Sequence, residues 1–155
     1  MMNSVELTSI LKMITSKETD FLGVIPCNHL NDKKISRLPA MLVANTHPSH
    51  MPGEHCNPPT HVQFPPVINT FLKQNCTEVF YSTKQVQDSD SVACGQHTVF
   101  FLYHMQSVVS YDYMDKYGSN LNCNDVMVYK FLNKIRPGVC QKYDFTRVQC
   151  VKPHM

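Results

Sequence analysis

The sequence lacks the features that mark several classes of protein. It has no apolar run approaching the ~18 residues that a transmembrane helix requires, so we expect no membrane association. Residues 1–20 have neither a basic start nor an uninterrupted apolar segment, which predicts an intracellular protein of the cytoplasm or nucleus and not a secreted one. The net charge is only +2 and no basic run occurs, so charge gives no support for nucleic-acid binding.

What the chain does contain is sufficient for one globular domain. Its 155 residues are 43% hydrophobic and 17% charged, a balance typical of a folded chain with a core. The seven cysteines are odd in number and show no repeated close spacing. Free thiols in a reducing compartment are therefore expected.

Hydrophobic periodicity and turn residues predict an α+β fold with few strands. The first helix is expected to be capped by Asn3 or Ser4, with Val5 and Leu7 on its apolar side, and the last helix by Asn122 or Asn124. The remaining expectations are a loop at 25–39, a buried strand at 40–46, an irregular proline-rich segment at 47–66, a helix at 65–75, a strand at 77–83, a helix from 94 to about 111, and a C-terminal tail that adds a strand.

The stretch "KQVQDSDSVACGQHTVFFLYHM", residues 84–105, places Cys94 where a polar loop meets the most apolar helix. A helix N-terminus favours the reactive thiolate form of a cysteine. Gly95 removes a side chain beside it, which would let a substrate backbone approach, and Gln87 could donate to an oxyanion. The competing interpretation is that Cys94 is the first buried residue of a core helix.

Several stretches, in this order along the chain, resemble the adenovirus-type (adenain-like) cysteine endopeptidases, and most closely those encoded by Maverick/Polinton transposons. "MLVANTHPSHMPGEHC" resembles the strand and turn that lead to the family's catalytic histidine. "QVQDSDSVACG" resembles its block with glutamine seven residues before cysteine. "DFLGV" and "YGSNLNCNDVMVYKFLNKI" resemble two further segments, so the resemblance spans most of the chain and implies one domain over residues 1–155.

The resemblance implies a thiol endopeptidase in which Cys94 is the nucleophile and His55 the general base. It implies Gln87 as the side-chain donor of the oxyanion hole, with the Cys94 backbone N–H as a second donor. The chemistry would be acyl transfer through a thioester. The partner would be a polypeptide substrate, with capsid-type and ubiquitin-like proteins as the candidate classes, and we expect neither cofactor nor metal.

The sequence departs from the family pattern directly after His55. The family places a strand, a turn and a second strand there, ending in the acid that orients the histidine, whereas only ten residues separate His55 from Pro66. The resemblance therefore implies an adenain-like fold with a truncated central sheet, an incomplete peptidase domain without its triad acid, and impaired proteolysis. The shortening is either a genuine deletion or a mis-joined exon.

Two alternatives to an active peptidase remain open. One is a catalytically inactive, vestigial protein that still binds peptides in its groove. The other is a small zinc-binding domain, which would need four nitrogen or sulfur ligands. Its candidate ligands are His47, His50, His55, Cys56 and His61 in one loop, and Cys94 with His97 at C-x-x-H spacing.

Overall fold

The computed structural model describes residues 2–51, 64–80, 82, 84–107 and 115–138. In chain order these residues form α1 (Ser4–Ile14), β1 (Asp20–Pro26), a 3-10 helix (Cys27–Asp32), β2 (Ala40–Asn45), α2 (Pro66–Asn75), α3 (Cys94–Ser107) and α4 (Leu121–Ile135). The predicted α+β class is confirmed at this level. Within these ranges, no helix has the length and apolar character needed to cross a bilayer.

The two strands pair in parallel, and a bulge in β1 decides which side chains share a face. Leu22 is an extra residue opposite β2, and Gly23 adopts φ +113°, a conformation that suits glycine. Side chains normally alternate along a strand. The bulge resets this alternation, so Phe21 and Val24 pack into one core while Leu22 and Ile25 pack into the other.

Helical elements cover both faces of this sheet, as a parallel pair requires. The larger core lies between the sheet and α1, α3 and α4, and its fully buried side chains include Ile10, Leu11, Val99, Val128 and Leu132. The smaller core lies between the other face, the 3-10 helix and α2, around Leu30, Ile68 and Phe71. The N-terminus of α3 therefore rests on the larger core.

The first helix begins at the residue predicted from its capping pattern. The Asn3 side chain accepts from the Glu6 backbone N–H at 2.9 Å, and the Glu6 carboxylate accepts from the Asn3 N–H at 3.0 Å. This reciprocal capping box satisfies two N–H groups that have no acceptor inside the helix. Leu7 is buried as expected, but the placement of Val5 on the apolar side is wrong, since it is 76% exposed.

Three other sequence expectations are wrong. The described residues of the predicted strand at 77–83, namely 77–80 and 82, form no strand, and Phe80 is 70% exposed. The predicted loop at 25–39 contains the end of β1 and the 3-10 helix, whose Leu30 is fully buried. The α4 cap is Asn120, which accepts from the Cys123 N–H at 3.1 Å, and neither Asn122 nor Asn124.

The other predicted elements are confirmed where they are described. β2 and α2 lie within a residue of their expected bounds, and α4 ends two residues before Pro137. α3 begins at Cys94 and is described to Ser107. The expected tail strand falls on residues 139–155, and most of the irregular proline-rich segment on residues 52–63, both outside the described residues.

Candidate functional site

Cys94 is the first residue of the 14-residue α3, the position that the sequence predicts for it. The Ala93 carbonyl accepts from the His97 N–H at 2.9 Å, so Ala93 is the residue that caps the helix. Cys94 itself is half-buried, whereas Cys27 is buried and Cys76 is exposed. Cys94 is thus a partly accessible thiol at a helix N-terminus and not a core residue.

The space beside Gly95 is occupied by the N-terminal segment. A Cβ atom added at Gly95 would lie 3.0 Å from Met2 Cβ and 3.1 Å from Met2 Sδ. We expected the missing side chain to leave room for a substrate backbone, but in the structure it leaves room for Met2. Any substrate that approaches Cys94 from this side has to displace Met2.

Gln87 lies in the loop that leads into α3, which we call the Gln87 loop and define as residues 84–93. Its side chain is half-buried, and its Nε2 donates to the Ser91 carbonyl at 3.0 Å. A side-chain amide carries two N–H donors. One of them therefore fixes the orientation of the amide against Ser91, three residues before Cys94, and the second is the one an oxyanion would use.

His55 lies outside the described residues, within the segment 52–63. Of the three predicted catalytic residues, the structure therefore places Gln87, which is hydrogen-bonded to Ser91, and Cys94, which lies three residues after Ser91. No acid beside the histidine was predicted from the sequence.

A buried polar cluster lies near Cys94 and was not predicted from the sequence. Ser91 Oγ donates to Asp125 Oδ2 at 2.5 Å, and His97 Nε2 lies 2.8 Å from Asp125 Oδ1. His97 Nδ1 lies 3.4 Å from the Tyr117 hydroxyl. All four residues are buried. The sequence offered one signal for this cluster: His97 and Asp125 stand next to apolar residues in predicted helices, and a buried polar side chain needs a hydrogen-bond partner.

The cluster decides what His97 can do. With Nε2 on the Asp125 carboxylate and Nδ1 beside the Tyr117 hydroxyl, both ring nitrogens have partners inside the protein. A general base needs a nitrogen directed at the nucleophile, and a zinc ligand needs a nitrogen lone pair for the metal. In this arrangement His97 serves neither role, which removes Cys94–His97 as a zinc half-site.

Asn124 makes a second set of contacts next to this cluster. Its Nδ2 donates to the Val86 and Gly118 carbonyls, each at 3.1 Å, and its Oδ1 accepts from the Gly118 N–H at 2.9 Å. The Lys84 ammonium donates to the Tyr117 carbonyl at 2.6 Å. The start of the Gln87 loop is therefore attached to the segment that precedes α4.

Among the residues that the structure describes, no group of three or more His, Cys, Asp or Glu side chains is placed to hold a metal ion. His47 and His50 of the predicted zinc alternative are described, while His55, Cys56 and His61 are not. The loop version of that alternative therefore stays a prediction.

Comparisons with known proteins neither support nor contradict the resemblance to adenain-like peptidases. No family model matches the chain, and the searches of curated proteins and of solved structures give no match either.

Proposed function

We propose that this chain is a cysteine endopeptidase domain of the adenain-like type, with a truncated central sheet and impaired proteolysis. The observation that carries the proposal is the position of Cys94, half-buried at the first residue of α3 and preceded by a loop held in place by buried side chains. A core cysteine would need no such loop.

In the proposed mechanism the Cys94 thiolate attacks a peptide carbonyl carbon. The backbone N–H groups of the first turn of α3 and the second N–H of the Gln87 amide donate to the oxyanion that forms. His55 then protonates the leaving amine, and water hydrolyses the thioester. The N-terminus of α3 supports the thiolate through its partial positive charge.

Impairment follows from what the chain lacks after His55. Loss of the acid that orients a catalytic histidine lowers turnover by about 10⁴-fold even where the geometry is intact. The ten residues between His55 and Pro66 are also too few to form the two strands that would hold His55 in place. Sequencing the messenger RNA between the codons for His55 and Asn57 distinguishes a genuine deletion from a mis-joined exon. If an exon was mis-joined, the messenger RNA encodes the missing strands and acid; if the deletion is genuine, it does not.

The proposal is tested by slow hydrolysis of Gly-Gly- or Gly-Ala-type peptides, followed by mass spectrometry at high enzyme concentration. We expect turnover that is abolished in Cys94→Ala and retained in Cys76→Ala, a change at an exposed cysteine directly after α2. If His55 acts as the proposed base, the Cys94 thiol should titrate at a lower pH than an ordinary cysteine, because a protonated histidine stabilises the thiolate.

The alternatives give different results in the same experiments. Peptide binding without any Cys94-dependent hydrolysis, together with an ordinary thiol titration, would refute the enzyme and favour a vestigial binding protein. Stoichiometric zinc in the purified protein would favour the metal-binding domain.

A further inference from the structure

Two consecutive polar residues near the start of α4, Asn124 and Asp125, are 2% and 7% exposed. Burying an amide and a carboxylate costs free energy unless their hydrogen bonds are made inside the protein. Apolar side chains at these helix positions would pack without that cost. The reason for the two polar residues must therefore lie in what they bind.

Asn124 holds the beginning of the Gln87 loop. Through its Nδ2 it fixes the carbonyl of Val86, the residue immediately before Gln87, and it does so 38 positions away in the sequence. Its other two hydrogen bonds, to the backbone of Gly118, fix the amide itself. An amide held on three sides is a rigid anchor for the loop.

Asp125 holds the other end of the loop and the first turn of α3. One carboxylate oxygen accepts from Ser91, whose Oγ also accepts from the Ala93 N–H at 3.1 Å. The other oxygen contacts His97. Asp125 therefore binds a residue three positions before Cys94 and a residue three positions after it.

Ser91 joins the two anchored parts. Its hydroxyl is bonded to Asp125, while its carbonyl accepts from the Gln87 amide. Through Ser91 the position of the Gln87 side chain depends on the position of the Asp125 carboxylate. Apolar packing alone would not set that orientation, because a hydrogen bond constrains direction as well as distance.

We propose that Asn124 and Asp125 are positioning residues that hold the two ends of the Gln87 loop, and thereby place Gln87 and Cys94 for the thiol chemistry; this rests on the proposed function. Neither residue touches the reacting atoms. Isosteric substitutions at these two positions should therefore disturb the loop and the reactivity of Cys94 while the domain stays folded.

The test uses the isosteric variants Asn124→Asp, which removes the donor to Val86, and Asp125→Asn, which removes the charge. Matched controls make the same changes at exposed positions nearby, Asn122→Asp on α4 and Asp90→Asn in the loop. Ser91→Ala serves as a second variant of the Asp125 link should Asp125→Asn fail to fold. Circular dichroism checks the fold of each protein.

Hydrogen exchange of the 84–93 peptide reports the loop directly and needs no enzymatic activity. We expect exchange to rise by about tenfold in both variants, since leaving a buried polar group without its hydrogen-bond partner costs a free energy equivalent to about that factor. Exchange in α2 and in both controls should stay as in the wild type. Unchanged loop exchange in the variants would overturn the proposal, whether or not the wild type cleaves peptides.

Alkylation by iodoacetamide, read on the Cys94 and Cys76 peptides of the same sample, separates positioning from mere structural support. In the variants, the alkylation rate of Cys94 should differ from the wild-type rate by about tenfold, while that of Cys76 stays constant. Of the two cysteines, Cys94 is the one that adjoins the anchored loop. Faster loop exchange with an unchanged Cys94 rate would also overturn the proposal. Failure of the proposed function is seen separately, as absent hydrolysis by the wild type.

Discussion

Asp125→Ala is expected to destabilise the domain severely, because the Asp125 carboxylate accepts two hydrogen bonds inside the core. Its donors are Ser91 at 2.5 Å and His97 at 2.8 Å. The side chains of Asp125 and His97 are only 10% and 7% exposed, so water cannot replace the lost acceptor. Each buried polar group left unpaired costs about 1–3 kcal/mol. Two such groups predict a loss of about 2–6 kcal/mol, which includes the range of about 3–5 kcal/mol found when one partner of a buried pair is removed.

The assay is urea unfolding followed by far-ultraviolet circular dichroism, with the free energy of unfolding taken from the midpoint and slope. Since a domain is typically stable by about 5–15 kcal/mol, the midpoint should fall by a large fraction of its wild-type value. The control Asp90→Ala removes an exposed carboxylate from the same region and should change the free energy by no more than about 0.5 kcal/mol.

A double-mutant cycle with His97→Ala tests whether the loss arises at the pair. Directly bonded side chains should couple by about 1 kcal/mol or more. The loss of unfolding free energy in the double variant should therefore be smaller than the sum of the losses in the two single variants. An Asp125→Ala loss below about 1 kcal/mol, or strictly additive single losses, would refute the reasoning from burial and hydrogen bonding.

Two further predictions use the same unfolding assay. Ile10→Ala, at a fully buried position of α1, should cost about 2–5 kcal/mol, whereas Val5→Ala, at a position 76% exposed on the same helix, should cost at most about 0.5 kcal/mol; equal costs would contradict the packing of α1. Gln96 Oε1 is buried without a hydrogen-bond partner within the described part of the chain, so Gln96→Met should stabilise the fold by about 1 kcal/mol. Gln74→Met on an exposed position of α2 should be neutral, and a loss at Gln96→Met would show that the amide is needed.

The helices were predictable because their signals are local. The α1 cap is contained within four residues, from Asn3 to Glu6, and α2 combines prolines at its start with apolar residues at helical spacing. The α4 cap was mistaken because three asparagines stand close together and each suits an N-cap position. Asn120 is the cap because its side chain accepts from the Cys123 N–H, while Asn124 is buried within the helix, and local sequence reveals neither.

The candidate site was predictable only in part, for a related reason. The placement of Cys94 at a helix start follows from the change between a polar loop and an apolar run. The cluster near it joins residues 28 and 34 positions apart, at His97 and Ser91 on one side and Asp125 on the other. Contacts between residues so far apart depend on how α3 packs against α4. Hydrophobic periodicity does not specify which residues of the two helices meet.

The failed strand prediction at 77–83 bears on the proposed truncation of the sheet. The segment has strand-forming residues, yet residues 77–80 and 82 form no strand, and Val79 and Phe80 are exposed by 45% and 70%. Strand propensity mainly reflects packing against neighbouring strands. A segment of strand-forming residues therefore does not become a strand unless a neighbouring strand pairs with it. If, as proposed, the chain lacks the strand–turn–strand that adenain-like peptidases have after the histidine, it also lacks the strands with which this segment would pair. Its exposed apolar side chains are what the proposed deletion would leave behind.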